Sequence, residues 1–460
     1  MLLRKKLYVP GLRIIANCTL GMLFLLAVAL RVSLYHVETS DYTVFLSQWY
    51  DFIQTHGGFA ALKYAFSNYN TPYLSLLALT TYLPVPKLIA IITLSVVFDG
   101  VLGLFAYLIL RLRYRRSYAS VIGVLVILFA PTIFINSAAW GQSDAIYTAF
   151  CLGSLYFLLK ERPAWACVFF GLAISFKLQA MFFLPVLLML LLKRKLSMKY
   201  LALIPAVFLL MLAPAFIAGR DVWSLLTIYV GQINSGGVGG MGQFNGGGAG
   251  RFNGGGTGLF NGGGGQFNGG GAGRFNGGGL GVGGFSSSSL TLNAPSFYQW
   301  LPASAPEYWK WIGILLAAMV VVLVGVLLVK SKKPLTSAIL LKVTLVFALA
   351  IPFLLPEMHE RYFYLADVVS IISAFYFPRS FYIAVIMQLC SLFSYAPYFL
   401  NTQVVNLAYV AFAVLVITLI TLADLVLTLY PNIRKRAAAP VAFNDEALPK
   451  TADDAVTGLL

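Results

Sequence analysis

Residues 88–110 read LIAIITLSVVFDGVLGLFAYLIL, an apolar run in which Asp99 is the one charged residue. A helix of these 23 residues rises about 34 Å, which exceeds the ~30 Å hydrocarbon core of a bilayer. The run therefore predicts a membrane-spanning helix. Similar apolar runs recur along the 460-residue chain at 11–32, 311–329 and 407–429.

The composition extends this interpretation to the whole chain. Hydrophobic residues make up 59% of the sequence and charged residues only 10%, whereas charged residues are about 25% of a soluble domain. All four cysteines lie in apolar segments, where they are interpreted as small hydrophobic residues rather than as a disulfide framework. We expect a polytopic, all-α membrane protein.

Basic residues are confined to short segments between the apolar runs, although the net charge is +16. This distribution argues against a nucleic-acid-binding surface and is typical of cytoplasmic loops. The basic segments are 111–116, 160–162, 193–199, 330–333 and 434–436. Placing all of them in the cytoplasm predicts a bundle of about 12 spans with both termini cytoplasmic. The first run is interpreted as a retained span and not as a cleaved signal peptide.

This topology divides the chain into regions. Residues 1–230 form an N-terminal transmembrane region whose first outer loop, 36–71, is expected to carry interfacial helices. Residues 72–84 are apolar but too short to cross, which predicts a re-entrant or interfacial segment. Residues 286–436 form a C-terminal transmembrane region, and 437–460 form a cytoplasmic tail.

The two transmembrane regions are separated by a glycine-rich insertion at 231–285, in which Phe-Asn pairs precede runs of glycine. Sequence this rich in glycine cannot build a core and loses much entropy on ordering. A flexible outer loop is therefore expected. The alternative is that the spaced Phe and Asn residues promote self-association or glycan contact.

The densest group of charges beside apolar sequence is EMHER at 357–361. An uncompensated charge in hydrocarbon costs about 3 kcal/mol, so such a group predicts a function. Arg361 can bind a phosphate oxygen bidentately, His359 can exchange a proton, and Glu360 can orient both. The cluster predicts a site for an anionic, phosphorylated ligand.

Asp41 follows the first span, and apolar residues after it recur at helical spacing, which predicts an amphipathic helix on the membrane surface. Asp41 is either the N-cap of that helix or a general base, because an ionised carboxylate near the membrane face can accept a proton. Asp144, in WGQSD at 140–144, is likewise an N-cap or a residue that positions an acceptor hydroxyl. Trp140 is either a sugar-stacking ring or an ordinary interfacial aromatic residue.

Lys177 is flanked by apolar residues in SFKLQ at 175–179. It is either a snorkelling lysine or a point charge for a phosphate at the lipid boundary. Asp99 and Asp367 lie within apolar runs, where pairing or helix packing is expected, and Asp424 is expected to snorkel at the cytoplasmic end. No Asp-x-Asp occurs in the outer loops and no His-Cys group offers a metal site, so we predict neither metal nor cofactor.

Several stretches resemble one known family. They are SDY at 40–42, NTPYL at 70–74, WGQSD at 140–144 and MHERY at 358–362, together with 176–179 and 292–295. The arrangement resembles the glycosyltransferase C superfamily, in particular prokaryotic mannosyltransferases related to the GPI mannosyltransferase 2 family. The resemblance covers nearly the whole chain except 231–285 and the tail after 437.

The resemblance implies a membrane-embedded enzyme that moves a hexose, mannose in the nearest family, from a polyprenyl-phosphate donor to a hydroxyl group. The acceptor would be a glycan, lipid or protein at the extracytoplasmic face of the plasma membrane, and the reaction a single inverting displacement. Asp41 matches the general base of the superfamily. Asp41 is followed by Tyr42 and not by a second acid, which argues against a metal requirement.

The remaining site residues are given roles from the same comparison. Lys177, His359 and Arg361 are expected on the donor phosphate, because 359–361 is similar to a His-Glu-Lys stretch near the phosphate in lipid-linked-oligosaccharide glucosyltransferases. Asp144, Trp140 and Glu360 are expected to position the acceptor or the sugar.

Two rival functions remain open at this stage. A transporter or flippase of a lipid-linked or anionic solute is the first, but such folds often show repeated halves and mid-membrane sites. The sequence shows no internal repeat, and its ionisable residues collect at one predicted face. A cell-envelope scaffold built on the glycine-rich insertion is the second.

Overall fold

The computed structural model describes residues 10–115, 117–234, 290–302 and 304–432. Within these ranges the chain is an all-α bundle with one short pair of strands, as the apolar runs predict. The tail at 437–460 and residues 235–285 of the glycine-rich insertion lie outside the described residues. Helix covers Ile228–Asn234 and so includes the first four residues of that insertion.

The helices before the insertion vary widely in length. They are α1 (Pro10–Val32), α2 (Ser47–Thr55), α3 (Thr71–Thr80), α4 (Lys87–Arg113), α5 (Ala119–Phe129), α6 (Pro131–Phe134), α7 (Asp144–Leu159), α8 (Pro163–Phe176), α9 (Leu184–Leu192), α10 (Met198–Leu201), α11 (Leu203–Met211), α12 (Ala213–Ile217), α13 (Val222–Leu226) and α14 (Ile228–Asn234). Single π-helical turns occupy Tyr42–Leu46 and Ile135–Ala139, and 3₁₀ turns occupy Gly58–Lys63 and Leu178–Phe183.

The helices after the insertion are mostly long. They are α15 (Tyr308–Lys330), α16 (Ser337–Leu354), α17 (Tyr364–Tyr376), α18 (Phe381–Leu400) and α19 (Leu407–Leu429), with 3₁₀ turns at Phe297–Trp300 and Pro378–Ser380. Strand β1 (Thr291–Leu292) pairs in parallel with β2 (Met358–His359). This pairing places the segment that follows the insertion directly beside the charged cluster at 357–361.

Six of the described helices are long and apolar enough to cross a membrane, or seven if one bent pair counts as a single span. The bend is 56° between Ala119–Phe129 and Pro131–Ala139, where Pro131 removes a backbone donor and starts a new helix. Five further apolar helices are only 10–17 residues long. The total of about 12 spans therefore stays a prediction.

The hydrophobic core has two parts. The larger part lies among α4, α7, α8 and the helices α16–α19. The smaller part packs residues 42–62 against α3 and α4, and it buries Trp49, Ile53, Leu62 and Tyr73. The apolar residues that recur at helical spacing after Asp41 thus form a helix face that packs on other helices of the protein.

Ionisable side chains inside the bundle are partly paired. Asp99 of α4 accepts a hydrogen bond from Arg31 of α1 at 2.8 Å, as the pairing expectation requires. Asp424 lies 2.6 Å from the Lys342 ammonium, so the expectation that it only snorkels is wrong. Asp367 is buried in α17 and accepts a hydrogen bond from a serine of α18.

Candidate active site

The Asp41 carboxylate is held on one side only. It lies at the start of the π-helical turn Tyr42–Leu46 and makes no side-chain capping bond, so the N-cap interpretation is wrong. Its Oδ2 accepts hydrogen bonds from Trp140 Nε1 at 3.0 Å and from Gln142 Nε2 at 2.5 Å. Within the described residues its Oδ1 has no hydrogen-bond partner, and the side chain is 21% exposed.

The backbone at Asp41 is also fixed. Its N–H donates to the Tyr398 hydroxyl at 3.0 Å, and the Ser40 hydroxyl donates to the same oxygen. The Tyr398 ring stacks on Trp140 with centroids 4.2 Å apart. The Trp140 side chain is 1% exposed, so its ring does not offer an open face for a sugar to stack on. Its indole N–H orients the Asp41 carboxylate.

Asp144 and Lys177 form a buried ion pair. Asp144 is the first residue of α7, and Lys177 is an extended residue between α8 and the turn at Leu178–Phe183. Lys177 Nζ lies 2.6 Å from Asp144 Oδ1, and Asn136 Nδ2 donates to Asp144 Oδ2 at 3.0 Å. The snorkelling interpretation of Lys177 is therefore wrong, and Asp144 makes no cap through its side chain.

Arg361 lies at the centre of the charged groups. Its Nη1 donates to Glu360 Oε1 at 3.1 Å and lies 3.7 Å from Asp41 Oδ2. Its Nε lies 3.7 Å from Asp144 Oδ2 and, although it is buried, has no hydrogen-bond partner among the residues that the structure describes. Burial lowers the pKa of Arg361, but the Asp41 and Glu360 carboxylates outweigh burial and raise it well above its ordinary value.

Glu360 and His359 complete the group. Burial alone would raise the pKa of Glu360, yet contact with His359 and Arg361 lowers it below its ordinary value. His359 Nδ1 lies 3.8 Å from Glu360 Oε2, and its ring packs against Tyr362. Pairing of β2 with β1 holds this segment, because Glu360 N–H donates to the Leu292 carbonyl at 3.0 Å.

The two cations of the site are already paired. Asp41, Asp144 and Glu360 carry three negative charges when ionised, against two positive charges on Lys177 and Arg361. A bound anion therefore has to share these cations with carboxylates. Lys177 lies 2.6 Å from Asp144 and is 9% exposed, whereas Arg361 Nη2 makes no hydrogen bond within the described residues and is available to a bound anion.

All seven site residues predicted from sequence meet in this one region, but four of their supports were missed. Gln142 lies within WGQSD and could have been singled out as a polar residue in the same stretch. Tyr69, which donates to Gln142 Oε1 at 3.2 Å, Asn136 and Tyr398 carry no sequence signal of their own. They reach the site because distant helices pack together.

No three His, Cys, Asp or Glu side chains lie close enough to hold a metal ion in the part of the chain that the structure describes. The metal-free and cofactor-free reaction stays a prediction.

One known family matches part of the chain. The model of glycosyltransferase family 87 matches residues 66–245. This match covers less than half of the chain and includes Trp140, Asp144 and Lys177, while Asp41 and Arg361 lie outside it. No curated protein matches the chain. The family match and the apolar helices together support a membrane glycosyltransferase.

Proposed function

We propose that this protein is an integral-membrane hexosyltransferase that uses a polyprenyl-phosphate sugar, with mannose as the sugar. It transfers the hexose to a hydroxyl group of a glycan, lipid or protein at the extracytoplasmic face of the plasma membrane. The proposal rests on the resemblance of the site stretches to mannosyltransferases and on the partial match to glycosyltransferase family 87.

The observation that carries the proposal is the one-sided environment of Asp41. Trp140 and Gln142 occupy Oδ2, and Oδ1 is left without a hydrogen bond among the described residues. Arg361 Nη1 lies 3.7 Å from the same Oδ2. A carboxylate that is fixed, charged and open on one oxygen is suited to remove a proton from a bound hydroxyl.

The reaction is a single displacement with inversion. The acceptor oxygen attacks the anomeric carbon while its proton passes to Asp41 Oδ1. The bond between the anomeric carbon and the phosphate oxygen breaks, and its electron pair leaves with the polyprenyl phosphate. Negative charge thus moves from the carboxylate to the leaving phosphate, where nearby cations stabilise it.

Arg361 and His359 are proposed to contact the donor phosphate. Arg361 has Nη2 available, and a guanidinium fits a phosphate bidentately. His359 is partly exposed and can donate a proton or hydrogen bond. Lys177 acts through Asp144, whose carboxylate lies 3.7 Å from Arg361 Nε. Glu360 positions Arg361 from the other side.

The outer-face assignment is supported by the ends of two neighbouring helices. Helix α7 begins at Asp144 and ends just before Lys160. Helix α8 begins after Arg162 and ends just before Lys177. The site residues and the basic loop therefore lie at opposite ends of the same helix pair. If the basic loop is cytoplasmic, the site is extracytoplasmic.

The test is transfer in reconstituted vesicles. Purified protein in proteoliposomes receives radiolabelled polyprenyl-phosphate mannose, glucose or galactose together with a membrane extract as acceptor, and products are separated by chromatography. We expect label to move from one of these donors to a new product. Label that crosses the bilayer on an unchanged donor supports the flippase alternative and overturns the proposal, as does the absence of transfer from every donor.

A further inference from the structure

Helix α1 is mostly exposed, and its buried side chains lie near its C-terminal end. Among the side chains of α1 whose burial the structure describes, only Ala27 and Arg31 are buried, and most of the others are exposed. Arg31 lies in the last turn, ten residues before Asp41 in the chain. Arg31 is thus a polar attachment at the end of α1 that leads to the proposed base, while Asn17, nearer the start of α1, accepts a hydrogen bond from the Tyr118 hydroxyl at 2.9 Å.

The Arg31 guanidinium joins three helices. Its Nε donates to Asp99 Oδ2 of α4 at 2.8 Å. Its Nη1 donates to the Ala27 carbonyl at 3.1 Å and to the Leu128 carbonyl at 3.0 Å. Leu128 lies in the last turn of α5, where carbonyls lack a partner within the helix. Arg31 therefore supplies a hydrogen bond to a carbonyl at the helix break before Pro131.

The same carboxylate oxygen of Asp99 also holds the second segment that leads to Asp41. Ser137 Oγ donates to Asp99 Oδ2 at 2.6 Å, and the Ser137 carbonyl accepts the Gly141 N–H at 3.1 Å. Ser137 lies in the π-helical turn just before Trp140, which donates to Asp41. Gly141, at φ +67°, then turns the chain toward Gln142.

We infer that Arg31, Asp99 and Ser137 form a positioning triad for the proposed base. Asp99 ties together the segment that carries Asp41 and the segment that carries its hydrogen-bond donors, Trp140 and Gln142. The triad thereby fixes the distance between the carboxylate and those donors, and so the direction of the free Oδ1. The inference rests on the proposed function.

Stability alone does not account for the triad. Among the described residues Arg31 Nη2 is buried without a hydrogen-bond partner, and a buried ion pair with an unsatisfied donor is a poor source of stability. The better-documented role of such buried charged pairs is to hold neighbouring elements in one relative position. Here the elements so fixed, α1 and the turn at Ile135–Ala139, both lead to the Asp41 carboxylate.

The test compares Ser137→Ala with Ser95→Ala. Ser95 is a matched control because it is buried on α4, four residues before Asp99, and its hydroxyl has no partner. With polyprenyl-phosphate [³H]mannose as the probe, Ser137→Ala should lower kcat about tenfold, the scale of a small misplacement of catalytic groups. The donor KM and the melting temperature should stay close to wild type. Ser95→Ala should match wild type in all three measurements.

A double-mutant cycle with Trp140→Phe shows whether Ser137 acts through Asp41. If it does, Ser137→Ala should cost much less in the Trp140→Phe background than in wild type, because the two changes disturb one hydrogen-bonded group. Independent multiplication of the two losses, or a Ser137→Ala variant that behaves as Ser95→Ala does, overturns the inference.

Hydrogen–deuterium exchange separates this inference from the proposed function. The amides of 38–46 and 138–142 should exchange roughly tenfold faster in Ser137→Ala than in Ser95→Ala, since a local opening becomes easier. This readout needs no substrate. Equal exchange in the two variants refutes the triad even where transfer is observed, and lack of transfer from every donor refutes only the proposed function when the exchange differs.

Discussion

Lys177 Nζ and Asp144 Oδ1 lie 2.6 Å apart, and both side chains are almost entirely buried. The pair joins the end of α8 to the start of α7, and it places Asp144 within 3.7 Å of Arg361. Lys177, which the sequence analysis assigned to a phosphate, therefore supports Asp144 beside Arg361, the residue that we propose to bind the phosphate. Its removal should affect folding as well as catalysis.

Loss of the Lys177 ammonium should destabilise the protein strongly. In Lys177→Met the buried Asp144 carboxylate loses its nearest cation and keeps only Arg361 at 3.7 Å, and breaking such a buried pair costs about 3–5 kcal/mol in free energy of unfolding. Thermal unfolding in detergent measures the effect. Lys87→Met is the control, because its pair with Asp51 is exposed and should contribute at most about 1 kcal/mol. Equal melting temperatures for the two variants would contradict the assignment.

Asp41→Asn should abolish most transfer without unfolding the protein. The amide keeps the shape of the side chain but cannot accept a proton, and loss of a general base costs about 10²–10⁴-fold in rate. Initial rates with polyprenyl-phosphate mannose measure the loss. Asp51→Asn, which changes an exposed carboxylate ten residues further along the chain, should keep the wild-type rate. The role of base is wrong if Asp41→Asn, expressed normally, is as fast as wild type.

Arg361→Lys should weaken donor use although the charge is retained. A lysine cannot reach Glu360 and a phosphate with the fixed fork of a guanidinium, and loss of one donor to a leaving oxyanion costs about 10²–10³-fold in kcat. The donor KM should also rise. Steady-state kinetics test both effects, with the exposed Arg379→Lys as the control. An unchanged donor KM together with an unchanged kcat would remove Arg361 from the phosphate site.

Acid should remove the stabilisation that Glu360 supplies. The pKa of Glu360 in the folded protein is below its ordinary 4.5, so the folded state binds that proton less readily than the unfolded chain. The stabilisation is present above about pH 4.5 and is lost as the pH falls further. Melting temperatures between about pH 6 and pH 3 should therefore drop less in Glu360→Gln than in wild type. The exposed Glu307→Gln should follow wild type, and parallel curves for all three proteins would refute the prediction.

Deletion of residues 240–280 should leave transfer close to the wild-type rate. These residues belong to the glycine-rich insertion, where dense glycine disfavours a packed core, and every predicted site residue lies elsewhere. The assay is transfer from polyprenyl-phosphate mannose in vesicles. Loss of an assembled envelope complex, with transfer intact, would show that the insertion has a separate scaffold role.

Hydropathy and charge bias predicted where most of the individual helices lie along the chain. The run 88–110 lies within helix α4 (Lys87–Arg113). Lengths were less predictable, because a continuous apolar sequence does not show where a helix bends. Pro131 and the π-helical turn at Ile135–Ala139 interrupt the apolar stretch that begins at Ala119. Helix α17, Tyr364–Tyr376, is too short to cross a bilayer alone.

The sequence by itself determined that the chain is a helical membrane protein and which ionisable residues are out of place in apolar surroundings. Their chemistry, a carboxylate at 41 and an EMHER cluster at 357–361, could be read from residue type alone. Only the tertiary structure decided their partners. It put Lys177 on Asp144, Trp140 and Gln142 on Asp41, and Arg361 among three carboxylates. The physical reason is that a buried charge must find a hydrogen-bonded partner, and helix packing decides which residue that partner is.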